Sequence, residues 1–293
     1  MKNGFYQHVD RHWNLDPSPD SCKPIFLIAS VWRTGSTLTQ RLIVSSNELT
    51  MWGEPFASCA VIQNLYNTTR SFIEPYSRLA WPQFTLSRMK EEERDTLINS
   101  MGRQWIANLY PDIRDLKESY RLMLDRIFYQ SAQKEGFERF GIKFVRLTVE
   151  HVQFLQWIYP DARIVFLTRN PYDSWNSYNG CNWNYRYPDL NISKLGQFIK
   201  IWEKNTNEFS QFTGQNIKMF RYEDVINSSD VRRELKEHCH LEAMDETILA
   251  VREKGIPNTD NLKGISSKDI QQIDRMVGKT AKKFGYISYK NTI

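Results

Sequence analysis

The chain has 293 residues, 41% of them hydrophobic and 25% charged, which suits one large α/β domain with a buried core. A net charge of +5 permits an anionic ligand, and the lack of a concentrated basic run argues against nucleic acid as a partner. Cys22, Cys59, Cys181 and Cys239 fall at no metal-ligand spacing, the first residues lack an apolar leader, and the apolar runs near 25–28 and 164–167 are too short to cross a bilayer, so the expectation is a cytoplasmic protein with no metal and no membrane partner.

In chain order, residues 1–22 are polar, carry Pro17 and Pro19, and read as a loose lead-in. A continuous apolar run over 24–29 reads as a strand buried on both faces. A short loop, 30–35, leads into a predicted helix from Ser36 to about Ser46, with Leu38, Leu42 and Ile43 on one face. A second strand over 49–52 ends at Gly53, Glu54 and Pro55. The stretch 60–135 reads as a helical insertion that supplies acceptor-pocket walls. Further strands are expected over 140–145, 162–168 and 217–221. Helices are expected over 151–159, from Asn170 on, and over 191–212, 228–239 and 269–284. Asn170, Pro171 and Asp173 form a helix start: an Asn cap, Pro at the first position, and an acid in the first turn. Strands alternating with helices imply an α/β fold with a central, mainly parallel sheet, in one domain over 1–293. Ligands of such sheets sit at the carboxyl ends of the strands, so the loops after Ala29, Trp52, Thr168 and Arg221 hold the candidate chemistry.

The loop after the first strand reads Trp32-Arg33-Thr34-Gly35-Ser36-Thr37-Leu38. A permissive Gly, two hydroxyls and the N–H groups of a helix start make a cradle for a phosphate. A nucleoside-triphosphate loop would carry Lys where Ser36 stands; here the cation, Arg33, lies inside the loop. With no Asp placed to hold Mg²⁺, ATP or GTP hydrolysis is poorly supported. The loop after the strand 162–168 places Arg169 at a strand end and Ser177 eight residues on, a guanidinium fork and a hydroxyl for a second phosphate.

Together the two loops resemble those of the sulfotransferases that use 3′-phosphoadenosine 5′-phosphosulfate (PAPS). In that family the first loop holds the 5′-phosphosulfate and an Arg…Ser pair at this spacing holds the 3′-phosphate. Tyr159-Pro160-Asp161-Ala162-Arg163, Phe220-Arg221-Tyr222-Glu223-Asp224 and the closing Phe284-Gly285-Tyr286 are similar to family segments, and the resemblance implies that Tyr222 lies against the adenine. It spans roughly 24–286 and is patchy over 60–135. Many family members have Lys where Arg33 stands and Trp where Leu38 stands, so the chain looks more like an Arg-type branch that includes carbohydrate-acting and bacterial enzymes. The family's Arg-Lys-Gly element is matched only loosely by Arg252, Lys254 and Gly255, which would touch the 3′-phosphate.

The resemblance implies a P-loop-like sulfotransferase fold and metal-independent in-line transfer to a hydroxyl or amine of a small-molecule or glycan acceptor, with 3′-phosphoadenosine 5′-phosphate (PAP) as product. Arg33 is then the cation for the leaving phosphate. Glu54, at the same sheet edge, is the candidate base, as a Glu in this place is in the Arg-type branch; its alternative is a structural ion pair. Another branch has a His two residues after a strand Lys; here Lys143 is followed at that offset by Val145, and Lys143 either contacts the sulfonate or is a solvated strand-end residue. His151 reads as structural. Trp32, Trp175, Trp183 and Tyr185 are the aromatics expected to face the acceptor, or else to pack in a lid. The competing readings are a P-loop nucleotide kinase or NTPase, and a non-catalytic nucleotide-binding module.

Overall fold

A computed structural model describes residues 5–13, 15–16, 22–54, 60–71, 90–92, 95, 114–181, 185–187, 190–250 and 265–288. The chain gathers into two compact units, one formed by 21–55, 128–152 and 161–293 and the other by 1–20, 56–127 and 153–160.

The first unit is built on a sheet of five parallel strands: β1 (Ile25–Ala29), β2 (Thr50–Gly53), β3 (Phe140–Phe144), β4 (Arg163–Thr168) and, as the last strand among the described residues, Ile217–Arg221. Numbering the hairpin strands β5 (Tyr185–Tyr187) and β6 (Leu190–Ile192), that last strand is β7, and the sheet order is β2-β3-β1-β4-β7. β1 lies at the centre, with Ile25 in register with Gly141 on one side and Arg163 on the other. Every residue of β1 and β3 is buried, as expected of strands covered on both faces. The chain crosses β1 between β3 and β4, so the topological switch point, where ligands of such sheets bind, is at the carboxyl ends of these strands.

One face of the sheet is covered by helices Pro171–Asn179, Leu195–Gln211 and Ser267–Lys283, which bury Trp175, Tyr178, Phe198, Trp202, Ile273 and Val277 together. The other face is covered by Ser36–Val44 and Ser229–Cys239, whose Leu42, Ile43 and Leu235 pack on Leu27, Val165 and Leu167. The helix after β4 starts as its sequence requires: the Asn170 side chain accepts the Tyr172 N–H at 3.0 Å, and Pro171 stands at the first position.

The helices expected over 228–239 and 269–284 are present within two residues of those bounds, as Ser229–Cys239 and Ser267–Lys283. Three elements differ from the sequence expectation. The loop after Asn179 contains the antiparallel hairpin β5–β6, and its second strand takes the residues 190–192 at which the next helix was expected to begin. Tyr222–Asn227 is a short helix directly after β7. In the other unit, where a loose lead-in was expected, Phe5–Trp13 is a helix with Val9 wholly buried. Tyr6 stacks on Trp157 with ring centres 5.1 Å apart. Asp10 accepts from the Trp157 indole at 2.8 Å and pairs with Lys117 at 3.4 Å. The reason is period: Tyr6, Val9 and Asp10 share one face at helical spacing, a signal that the prolines at 17 and 19 obscured. Among the described residues no helix is long and apolar enough to cross a membrane.

Candidate active site

The carboxyl ends of the strands bring together most of the described residues singled out in the sequence. After β1 the backbone of Arg33 is left-handed, φ 66°, and so is that of Gly35, φ 81°. Gly35 opens the helix Ser36–Val44 without any side-chain cap, so the N–H groups of the first turn face the loop as an anion cradle. The glycine is required twice over. A left-handed φ is strained for other residues, and a Cβ at Gly35 would fall 2.1 Å from a ring carbon of Tyr222.

Tyr222 follows β7, and its ring lies under the Arg169 guanidinium, whose central carbon is 4.9 Å from the ring centre. Arg169 donates from Nη1 to the Arg33 carbonyl at 3.0 Å. Arg33 in turn donates from Nε to Ser177 Oγ at 2.9 Å. Arg33, Arg169, Ser177 and Tyr222, drawn from the segments that follow β1, β4 and β7, therefore form one connected group. In the first loop Thr34 Oγ1, and in the group Arg169 Nε, are buried without a hydrogen-bond partner. Buried polar atoms of this kind are normally satisfied, and an oxyanion seated in the loop would satisfy both.

A second group stands beside the first. Lys143 Nζ is 2.6 Å from Glu54 Oε1 and 3.4 Å from Thr37 Oγ1. Only 7% of Lys143 is exposed, so it is not a solvated strand-end lysine. Glu54 lies just past β2, donates its backbone N–H to the Lys143 carbonyl at 3.0 Å, and has a left-handed φ of 49°. Such a conformation in a Glu costs about 1 kcal/mol or more and persists where the surroundings fix it. Here β2 is held by Gln40, donating to the Met51 carbonyl at 2.7 Å, and by the Trp52 indole, donating to the Phe128 carbonyl at 3.2 Å.

Arg33 was expected at the leaving phosphate; its guanidinium donates to Ser177, and a second cation, Lys143, stands beside Glu54 and Thr37. One expectation changes. Trp32 and Trp175 were expected to face an acceptor, yet they are only 3% and 6% exposed and belong to the core. Trp32 lies 6.1 Å from Tyr178 between ring centres, and the Trp175 indole donates to Asp269 at 3.3 Å. The polar edge of an indole is as readily satisfied inside a protein as at a pocket wall, so composition could not separate the two. Leu38 is half-buried on the first turn of its helix, and Thr39 takes the buried position beside Leu42 and Ile43. Tyr185 lies in β5. Trp183, Arg252, Lys254 and Gly255 lie outside the described residues.

His151 is structural, as read. Its Nδ1 accepts the Thr148 N–H at 3.1 Å, and burial pushes its pKa down to about 4. The folded protein then resists a proton that the unfolded chain accepts near pH 6.5. Stability is retained above that value and falls as the pH drops towards 4, by up to about 3 kcal/mol. The expected result is that His151→Asn, which keeps an acceptor for Thr148, flattens the fall in melting temperature between pH 6.5 and 4. Equal slopes for both proteins would contradict the assignment.

A family model described as the sulfotransferase family matches residues 24–246, three-quarters of the chain. The chain belongs to that family, and its parallel five-stranded sheet is the family's P-loop-like core. Among solved structures, it is similar to the sulfotransferase domain of the olefin synthase of Synechococcus PCC 7002, at 15% identity over 93% of this chain and 97% of that one, with TM-score 0.46. It is also similar to the mouse sulfotransferase SULT7A1 complexed with PAP, at 11% identity over 96% and 94%, with TM-score 0.42. A third is the sulfotransferase STF9 from Mycobacterium avium, at 13% identity over 97% and 81%, with TM-score 0.41. Membership rests on the match over 24–246, not on these distant likenesses. No curated protein matches the sequence.

Proposed function

We propose that the protein transfers the sulfuryl group of PAPS to a hydroxyl or amine of a small-molecule or glycan acceptor, as an Arg-type member of its family. The observation that carries this reading is the adjacency of two groups at one sheet edge: a doubly cationic anion cradle, Arg33–Arg169–Ser177, and a carboxylate–ammonium pair, Glu54–Lys143, joined to the loop through Thr37.

The acceptor oxygen or nitrogen attacks sulfur in line as the sulfur–oxygen bond to the 5′-phosphate breaks, and PAP leaves. Glu54 takes the acceptor's proton. Lys143, between Glu54 and Thr37, neutralises charge gathering on the leaving phosphate from one side, and Arg33 does so from the Ser177 side. The N–H groups of Gly35, Ser36 and Thr37 share that charge. Arg169 and Ser177 hold the 3′-phosphate, Tyr222 and Leu38 flank the purine, and the family resemblance assigns Arg252, Lys254 and Gly255 to the 3′-phosphate as well. The scheme needs no metal ion.

Neither a kinase nor an NTPase is favoured, since Ser36 stands where a triphosphate loop has its Lys and the family match points elsewhere. The direct test is transfer of labelled sulfate from PAPS into a pool of hydroxyl and amine acceptors. Labelled product is expected; PAP binding without transfer to any acceptor class would favour a non-catalytic module instead.

Gly35→Ala gives a sharper local test. The added methyl must displace the Tyr222 ring and sit at a left-handed φ. PAP affinity is expected to fall at least about tenfold, the equivalent of ~1.4 kcal/mol, while the protein stays folded. Unchanged binding by calorimetry would show that the loop does not grip the nucleotide.

A further inference from the structure

The helix Leu195–Gln211 carries a polar row inside the core. Trp202, Asn205, Thr206 and Phe209 lie at i, i+3, i+4 and i+7, and all four are buried. An apolar side chain would serve packing at 205 and 206. A buried amide is costly unless it is hydrogen-bonded, so its partner indicates what it is for.

The partners are the two phosphate loops. Asn205 Nδ2 donates to the carbonyl of Ser30 at 2.8 Å. That acceptor is a carbonyl oxygen, so the chemistry fixes which end of the amide faces it. Ser30 is the first residue past β1, and its own N–H makes the closing bond to the Leu167 carbonyl at 2.9 Å. Beyond that bond the ladder ends, and Asn205 takes over the next carbonyl. Ser30 Oγ donates to Thr168 Oγ1 at 3.4 Å, and Thr168 Oγ1 is 3.1 Å from Thr206 Oγ1. One turn earlier, the Trp202 indole donates to the carbonyl of Arg169 at 2.8 Å. One helix face thus fastens the root of the Arg33–Thr37 loop and the backbone of Arg169, and Arg169 in turn holds the Arg33 carbonyl.

We infer that Asn205 and Trp202 are positioning residues that set the spacing between the two phosphate-binding loops, Asn205 for the loop after β1 and Trp202 for Arg169. Neither touches the nucleotide. The inference rests on the proposed PAPS reading, because it assigns the 3′-phosphate to Arg169.

The two roles give different signatures. Trp202→Phe keeps an aromatic ring and removes the indole N–H together with some buried bulk, a packing loss for which Phe209→Leu is the control. It should weaken PAP binding about tenfold while leaving adenosine 5′-monophosphate, which has no 3′-phosphate, within about threefold. Asn205→Leu should weaken both nucleotides about tenfold. Phe209→Leu, on the same face and stacked on Phe166 with ring centres 4.0 Å apart, should lower the melting temperature and leave both affinities unchanged. If Asn205→Leu does not fold, the ratio of PAP to monophosphate affinity in Trp202→Phe carries the test. Wild-type binding of PAP with an unaltered ratio in Trp202→Phe, or the same losses in Phe209→Leu, overturns the inference alone. A wild-type protein that binds neither nucleotide removes the PAPS reading and the inference with it.

Discussion

Arg169→Ala is expected to raise the dissociation constant for PAP about a hundredfold, the equivalent of ~3 kcal/mol. The residue makes two contacts in the site, and the proposed reading adds a third, to a phosphate. Its fork offers charge-assisted hydrogen bonds to a phosphate, with Nε buried and unpartnered. Its Nη1 holds the Arg33 carbonyl, and its plane lies on the Tyr222 ring. Truncation removes the phosphate contact and frees both Arg33 and Tyr222. Arg169→Lys should recover little, since an ammonium offers neither the planar fork nor the stacking face. Adenosine 5′-monophosphate should lose much less affinity than PAP, because in the proposed reading Arg169 contacts the 3′-phosphate directly. Calorimetry with both nucleotides checks this; a PAP affinity within threefold of wild type would remove Arg169 from the site.

Glu54→Gln is expected to reduce kcat by roughly a hundred- to ten-thousandfold, the range of a lost general base. The amide keeps the carboxylate's shape but takes no proton. PAP affinity should stay within about threefold of wild type, because Glu54 donates nothing to a phosphate. The substitution also leaves the buried Lys143 without its counter-charge, so some loss of stability should accompany it. The combination of collapsed turnover and retained nucleotide binding separates a base from a structural ion-pair partner, for which turnover would survive at temperatures where the variant is folded. Unchanged kcat in Glu54→Gln would reassign the proton to another group.

The main frame could be read from the sequence because its signals are local. Short apolar runs gave the five strands of the sheet, and the residues just past β1, β2 and β4 were singled out by chain position alone. Arg33, Glu54, Arg169 and Ser177 do meet at one edge, since all parallel strands point their carboxyl ends the same way. What failed to show were features set by pairs distant in sequence. The direction of the Arg33 side chain depends on a left-handed φ and on Ser177, 144 positions away. The burial of Lys143 depends on Glu54 coming alongside just past β2, so the sequence left open whether Lys143 contacts the sulfonate or is a solvated strand-end residue. Asn205 and Thr206 look like a solvent face, and only the carbonyl of Ser30 and the hydroxyl of Thr168 reveal why polar groups stand in the core. The β5–β6 hairpin was missed because its strands are three residues each, too short for a period to register.

The most direct test of the central claim is a calorimetric titration of the wild-type protein with PAP in the presence of a chelator, set against ATP with Mg²⁺. The expected result is binding of PAP that does not change when metal is removed, with ATP at least about a hundredfold weaker, because the proposed site holds a 3′-phosphate and the loop lacks the lysine of a triphosphate site. ATP binding as tight as PAP, or PAP binding that requires Mg²⁺, would contradict it.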